Sequence, residues 1–158
     1  IAELKKGGKL IFIRHAYAPG IGDPDNFDID NCNTQRNLND VGRKQAKKIG
    51  AFFKKNNITV DEVYSSEWCR CKETAQIAFN KYEKKNFLNS FFSSRFFKNK
   101  DSQMIKLKRF IYNHDNKKNI IFLTHYVVIN ETLNYSSNSG EIIVIDKNYN
   151  ILGNLMTN

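Results

Sequence analysis

Three short apolar runs, far apart in the chain, each end on polar side chains. Lys9-Leu10-Ile11-Phe12-Ile13 leads into Arg14-His15, Val60 to Tyr64 into Ser65-Ser66, and Asn119 to Thr124 into His125. Runs this short and this apolar read as strands buried on both faces, as in a parallel sheet covered by helices. Helical periodicity fills the gaps. Asn39 caps a predicted helix to about Lys55, with Val41, Gln45, Ile49, Phe52 and Phe53 along one face. Ser65-Ser66 forms a turn and N-cap for a second, carrying Cys69 to about Ala78. Asp101 or Ser102 caps a third, with Met104, Leu107, Phe110 and Ile111 toward the core, and a short helix runs from His125 to about Leu133. Glu141 to Asp146 and Asn150 to Gly153 form a closing hairpin around Lys147-Asn148-Tyr149. The expected fold class is α/β, a three-layer α/β/α sandwich with a mostly parallel central sheet.

Size and charge narrow the function. The 158 residues suit a single domain spanning 1–158 and leave little room for a second core. The longest apolar run, about Ile120 to Ile129, is too short to cross a bilayer and is interrupted by His125. Lys and Arg number 25 against 16 Asp and Glu, a net +9 that favours anionic partners. Most of the excess is scattered Lys, which reads as a solvated face, and no helix-turn-helix or zinc-finger spacing points to nucleic acid. Arginine is scarce, at positions 14, 36, 43, 70, 95 and 109, and its planar fork is the side chain that matches phosphate oxygens. The loop from about Ala16 to Asn37 is long enough to be a functional lid, and Phe87 to Lys100 is aromatic-rich without clear pattern. Its Phe91-Phe92 and Phe96-Phe97 are expected in the core or as a cleft wall.

Ligands of open α/β sheets bind at the carboxyl ends of the strands, where all three polar groups fall. A lone His beside a core strand is usually only a satisfied polar group. Two at equivalent positions, one directly behind Arg14, point instead to a site. Arg70, near a helix N-terminus, would complete a cationic pocket for a dianionic phosphoryl group.

Four ordered blocks between about residues 9 and 133 resemble the histidine phosphatase superfamily, the phosphoglycerate-mutase-like fold. Leu10 to Ala16 resembles its Arg-His-Gly signature. Gln35-Arg36-Asn37-Leu38-Asn39-Asp40-Val41-Gly42-Arg43-Lys44-Gln45-Ala46 is similar to its Arg-x-Leu-Thr-x-x-Gly-x-x-Gln-Ala segment. Ser65-Ser66 with Arg70 and Thr74-Ala75 resembles its Ser-Ser-x-x-x-Arg-x-x-x-Thr-Ala helix, and Phe122-Leu123-Thr124-His125 its second-histidine strand. The resemblance implies a metal-independent phosphatase without cofactor, acting on phosphomonoesters or phosphoramidates. His15 would be the nucleophile, becoming a phosphohistidine, with Arg14, Arg70 and His125 holding the phosphoryl oxygens. Substrates would be phosphorylated small molecules or a phosphoprotein.

Three departures bear on this. Ala16 replaces the usual glycine, Tyr126 follows the second histidine where glycine is frequent, and Leu88 to Phe92 lacks the proton-donating Glu of the mutase-like members. Asp23, with Asp25, Asp28 and Asp30 as neighbours, and Glu141 are the candidate acids. A phosphoramidate, whose protonated nitrogen leaves more readily, would be favoured where the acid is missing. A phosphoglycerate-type mutase and a non-catalytic phosphate- or nucleic-acid-binding module are the alternatives.

Cys69 and Cys71 lie two apart and point to different sides of a helix, so they are poor partners for each other. Either can bridge Cys32 and leave an odd thiol, or all three remain reduced and buried. The Pro-Gly-x-Gly-Asp-Pro loop, the Cys before Thr-Gln-Arg-Asn-Leu and Trp68-Cys69-Arg70-Cys71 also resemble a bacterial subgroup of small exported members. That resemblance implies Cys32 oxidised with Cys69 or Cys71, and a periplasmic rather than cytoplasmic address. The first residue, Ile1, is compatible with a processed or cut chain.

Overall fold

Apolar side chains alternate to both faces of every central strand, so the sheet must be covered on both sides. In the computed structural model, which describes residues 1–157, it is. The chain runs through α1 (Ala2–Lys5), β1 (Leu10–Arg14), α2 (Asp40–Lys55), β2 (Glu62–Ser65), α3 (Cys69–Phe79) and β3 (Glu83–Lys84). It continues through α4 (Lys100–Tyr112), β4 (Ile120–Thr124), α5 (Tyr126–Leu133), β5 (Ile142–Ile145) and β6 (Ile151–Leu155). The sheet order is β3-β2-β4-β1-β5-β6. Pairings among the first four strands in that order are parallel; β5 and β6, the expected hairpin, run antiparallel.

Leu10 and Phe12 of β1 join Phe122 of β4 and Ile143 of β5 in one core layer, closed by Met104, Leu107 and Ile111 of α4 and Val128 and Ile129 of α5. Ile11 and Ile13 face the opposite layer with Ile121, Leu123 and Val144, closed by Leu4 of α1, Ile49 and Phe53 of α2 and Ala75 of α3. The three-layer α/β/α architecture follows, with β1, β4 and β2 delivering their carboxyl ends to one edge.

Four local expectations are corrected. Helix α2 buries Gly42, Ala46, Ile49, Gly50 and Phe53, not a face through Val41, which is exposed. Its seam is made of small residues because backbone must approach closely: a Cβ on Gly42 would lie 2.0 Å from the Tyr17 carbonyl oxygen, and one on Gly50 2.3 Å from that of Ala78. Ser66 does not cap α3, which begins at Cys69; its hydroxyl accepts from the Trp68 amide and engages His125 instead. Neither Asp101 nor Ser102 caps α4, which begins a residue or two earlier at Lys100, so both fall in its first turn. The patternless middle supplies Phe87, Leu88 and Phe91 to the core, while Phe97 is exposed.

Candidate active site

Strand ends and one helix start bring the charged residues together. The His15 amide donates to the Thr124 carbonyl, so the ends of β1 and β4 are locked side by side, and the two imidazoles stand edge to face with centroids 5.6 Å apart. Arg70, in the first turn of α3, donates from Nε to His15 Nε2 at 3.2 Å. Arg14 leaves β1 with Nη1 donating to the Ser137 carbonyl at 2.8 Å and its guanidinium over the Tyr126 ring, 5.4 Å from the centroid. These side chains line a cavity of about 350 Å³. Arg14, His15, Arg70 and His125 therefore meet in space.

Hydrogen bonding fixes the state of His15. Its Nδ1 lies 2.8 Å from the Ala16 carbonyl oxygen, which can only accept, so Nδ1 carries the proton and Nε2 keeps its lone pair. Burial, and then the Arg70 charge, hold the ring's pKa well below 6.5. His125 is depressed in the same direction by burial, Arg70 and His15. Its Nε2 meets the Ser66 hydroxyl at 2.8 Å. Its Nδ1 is buried without a partner among the described residues, as is Nε of Arg14.

Of the two candidate acids, the fold brings only Asp23 to the cavity. Its carboxylate accepts from Arg70 Nη1 at 2.8 Å, from the Arg36 amide at 3.0 Å and from the Trp68 indole at 3.1 Å. Burial works to raise its pKa, but Arg70 and these hydrogen bonds prevail and hold it below the usual carboxylate range. Glu141 lies elsewhere: Tyr135, Asn138 and Asn154 donate to it from its own neighbourhood, and it does not line the cavity. Its role there is to tie the segment after α5 to the start of β5.

A residue given no role by sequence reasoning also enters. Arg36 lines the cavity, with Nε donating to the Gly22 carbonyl at 2.7 Å and Nη1 to that of Ala18 at 2.6 Å. Burial, with the Arg70 charge, pushes its pKa down to about 10. The signal was present, because Arg36 heads the second block of the family resemblance. The loop that carries it is pinned by a Cys32–Cys69 disulfide, Cα atoms 5.8 Å apart, and by the Gln35 carboxamide accepting from the Cys69 amide at 2.9 Å. Cys71 stays a buried thiol, its pKa raised to about 12 by burial. Three guanidiniums thus surround two neutral imidazoles with one carboxylate among them, an arrangement that calls for an anion.

Similar proteins are found both by sequence and by fold. Over 87 residues, 54% of this chain, it is 37% identical to the mitochondrial serine/threonine-protein phosphatase Pgam5 of Drosophila grimshawi. The match takes up 27% of that relative, so the chain spans only about a quarter of its length. The fold is shared with the protein histidine phosphatase SixA complexed with tungstate, at a TM-score of 0.64 and 12% identity over 94% of this chain and 96% of that one. It is shared too with the phosphoglycerate mutase of Thermus thermophilus, at 0.64 and 14% identity over 95% and 99%. The profile of the histidine phosphatase superfamily (branch 1) matches residues 10–88, which hold Arg14, His15, Arg36 and Arg70. Because that match takes in half of its residues, the chain belongs to the histidine phosphatase superfamily.

Proposed function

We propose that the protein is a metal-independent phosphatase that hydrolyses phosphomonoesters or phosphoramidates through a phosphohistidine on His15. The observation that carries this is the His15 ring itself. Its Nδ1 is bound to the Ala16 carbonyl and its Nε2 lone pair accepts from Arg70 Nε, with Arg14 and Arg36 lining the same cavity. A neutral imidazole held this way is a nucleophile that needs no base to activate it.

The steps follow from the donors. A phosphoryl dianion replaces the His15 lone pair as acceptor for Arg70 Nε and gives Nε of Arg14 an acceptor. Nε2 attacks phosphorus as the bond to the leaving group breaks, and the guanidiniums take up the charge on the transferring oxygens. Asp23 is the cavity carboxyl held against Arg70, and with Asp25 it is one of two that line the cavity. To protonate the leaving group it must first gain a proton, which its ion pair with Arg70 disfavours until the phosphoryl group takes over that arginine. Water then attacks the phosphohistidine and frees His15 and inorganic phosphate. A phosphoramidate nitrogen that carries its own proton asks less of Asp23. Pgam5 and SixA, both phosphatases by name, and the tungstate anion held by SixA support the reading.

The test is an alkaline quench after mixing with p-nitrophenyl phosphate, because phosphohistidine survives base, followed by peptide mapping. Phosphate on His15, turnover unaffected by EDTA, and loss of both in His15→Ala are expected. Binding without turnover would make this a phosphate-binding module. The disulfide supports the further proposal of an exported, oxidising address. Thiol counting on protein from fractionated cells tests it: Cys71 alone should react after denaturation.

A further inference from the structure

The chemistry above occupies only the inner end of the cavity. The outer end is built of different material. Ile21 is 88% exposed and Phe92 59%, both on the lining. Large apolar side chains gathered in the open at a site mouth are unusual unless something covers them. A Cβ on Gly22, whose φ is +68°, would stand 3.6 Å from Cε2 of Phe92, so the residue after Ile21 lies close to that ring.

Inward from these two the wall is aromatic. Phe96 meets Phe27 and Trp68 edge to face at 5.6 and 5.5 Å, Phe27 stacks on Trp68 at 4.8 Å, and Trp68 meets His125 at 5.4 Å. This surface is continuous with the phosphoryl end. Its two charged members, Asp25 and Arg95, have opposite signs and give it no net charge. Arg95 is also tied down, lying 5.0 Å over the Phe96 ring with Nη1 donating to the Phe27 carbonyl.

We infer that the body carrying the phosphoryl group is apolar and uncharged, an alkyl or aryl group laid along this wall with its phosphoryl end at His15. The inference rests on the phosphatase reading and deepens it by naming the substrate class. Ser90, Ser93 and the Asp25–Arg95 pair are the polar side chains at this end, too few to replace the water that polyhydroxylated or carboxylated carriers, the sugar phosphate and phosphoglycerate type, would lose against the aromatic wall.

Non-hydrolysable n-alkylphosphonates separate binding from catalysis. Titration calorimetry with methyl- to hexylphosphonate should show affinity rising about two- to fourfold per methylene. Dihydroxypropylphosphonate should bind more weakly than propylphosphonate. Ile21→Ser and Phe92→Ser, at exposed positions where folding is not at stake, should each cut the chain-length slope by about half. A flat series, tighter binding of the hydroxylated compound, or no binding of any phosphonate overturns the inference. A sloped series without phosphohistidine on His15 would instead remove the catalytic reading and leave an apolar phosphate-binding cavity.

Discussion

Burial makes both active-site imidazoles poor bases in the folded state, while in the unfolded chain they return to about 6.5. A group whose pKa falls on folding stabilises the fold above its unfolded value, and that contribution declines as pH drops below 6.5 toward the folded value. The urea midpoint should therefore be lower at pH 5 than at pH 7.5, and His125→Asn should reduce the difference. For the same reason the acid limb of kcat/KM that reports on the free enzyme should lie below pH 6.5, because His15 is already neutral there. One substitution separates the proton-donor role proposed for Asp23 from its ion pair with Arg70. If it delivers the leaving-group proton, Asp23→Asn should slow alkyl phosphates by about 10²-fold and p-nitrophenyl phosphate much less, since a nitrophenolate leaves unaided. An equal loss on both substrates would assign Asp23 to holding Arg70 alone.

Among the elements, the segment between β1 and α2 depends most on tethers. It contributes Asp23 and Arg36 to the cavity, yet its internal structure is one 3₁₀ turn at Cys32–Thr34, an isolated bridge between Asp28 and Asn31, a few backbone turns and scattered side-chain bonds. The Cys32–Cys69 link spans 37 residues and ends on the residue before Arg70. Closing a loop of that length contributes about 2 to 4 kcal/mol by restricting the unfolded chain. The double variant Cys32→Ser, Cys69→Ser should lose about that much in urea unfolding, and its Arg70 ion pair should be less well ordered. Gly42 secures the same segment from the other side. The contact of α2 with the Tyr17 carbonyl leaves no space for a methyl group, so Gly42→Ala must push the chain just beyond His15.

At the scale of the whole molecule, the many surface charges and the few at the sheet edge act differently. The net charge of +9 is mostly surface lysine, screened within about 10 Å at ordinary ionic strength. The guanidiniums at the sheet edge, Arg70 buried and Arg14 and Arg36 half-buried, are less screened, and Asp23 pairs with only one of the three. Arg14 and Arg36 both have pKa values lowered by burial and then by the Arg70 charge. An anion that binds only the folded form should stabilise it by about 2.7 kcal/mol at a hundred times its Kd. Inorganic phosphate or tungstate should accordingly raise Tm in calorimetric scans, and Arg14→Ala should remove most of the rise. Sodium chloride at matched ionic strength should not reproduce it.

Much of this is legible in the chain because it depends on local chemistry. Short apolar runs read as buried strands and the polar residues straight after them as the carboxyl edge, so Arg14, His15 and His125 can be named from sequence, and Arg70 from its place near a helix start and in the family resemblance. What cannot be read depends on contacts between distant segments. Asp23 and Glu141 look alike as candidates, and only the packed loop puts one against Arg70 and the other under Tyr135 and Asn154. The partner of Cys32 is open between Cys69 and Cys71 in the sequence because two residues of one helix differ only in the direction they face. The seam of α2 escapes periodicity, which marks large apolar residues, whereas the close approach of two backbones is made by small ones. Periodicity and residue chemistry determined the fold class and the kind of group the site receives. Tertiary structure alone decided which acid and which aromatic rings surround it, because those choices turn on distances between residues that the order along the chain does not contain.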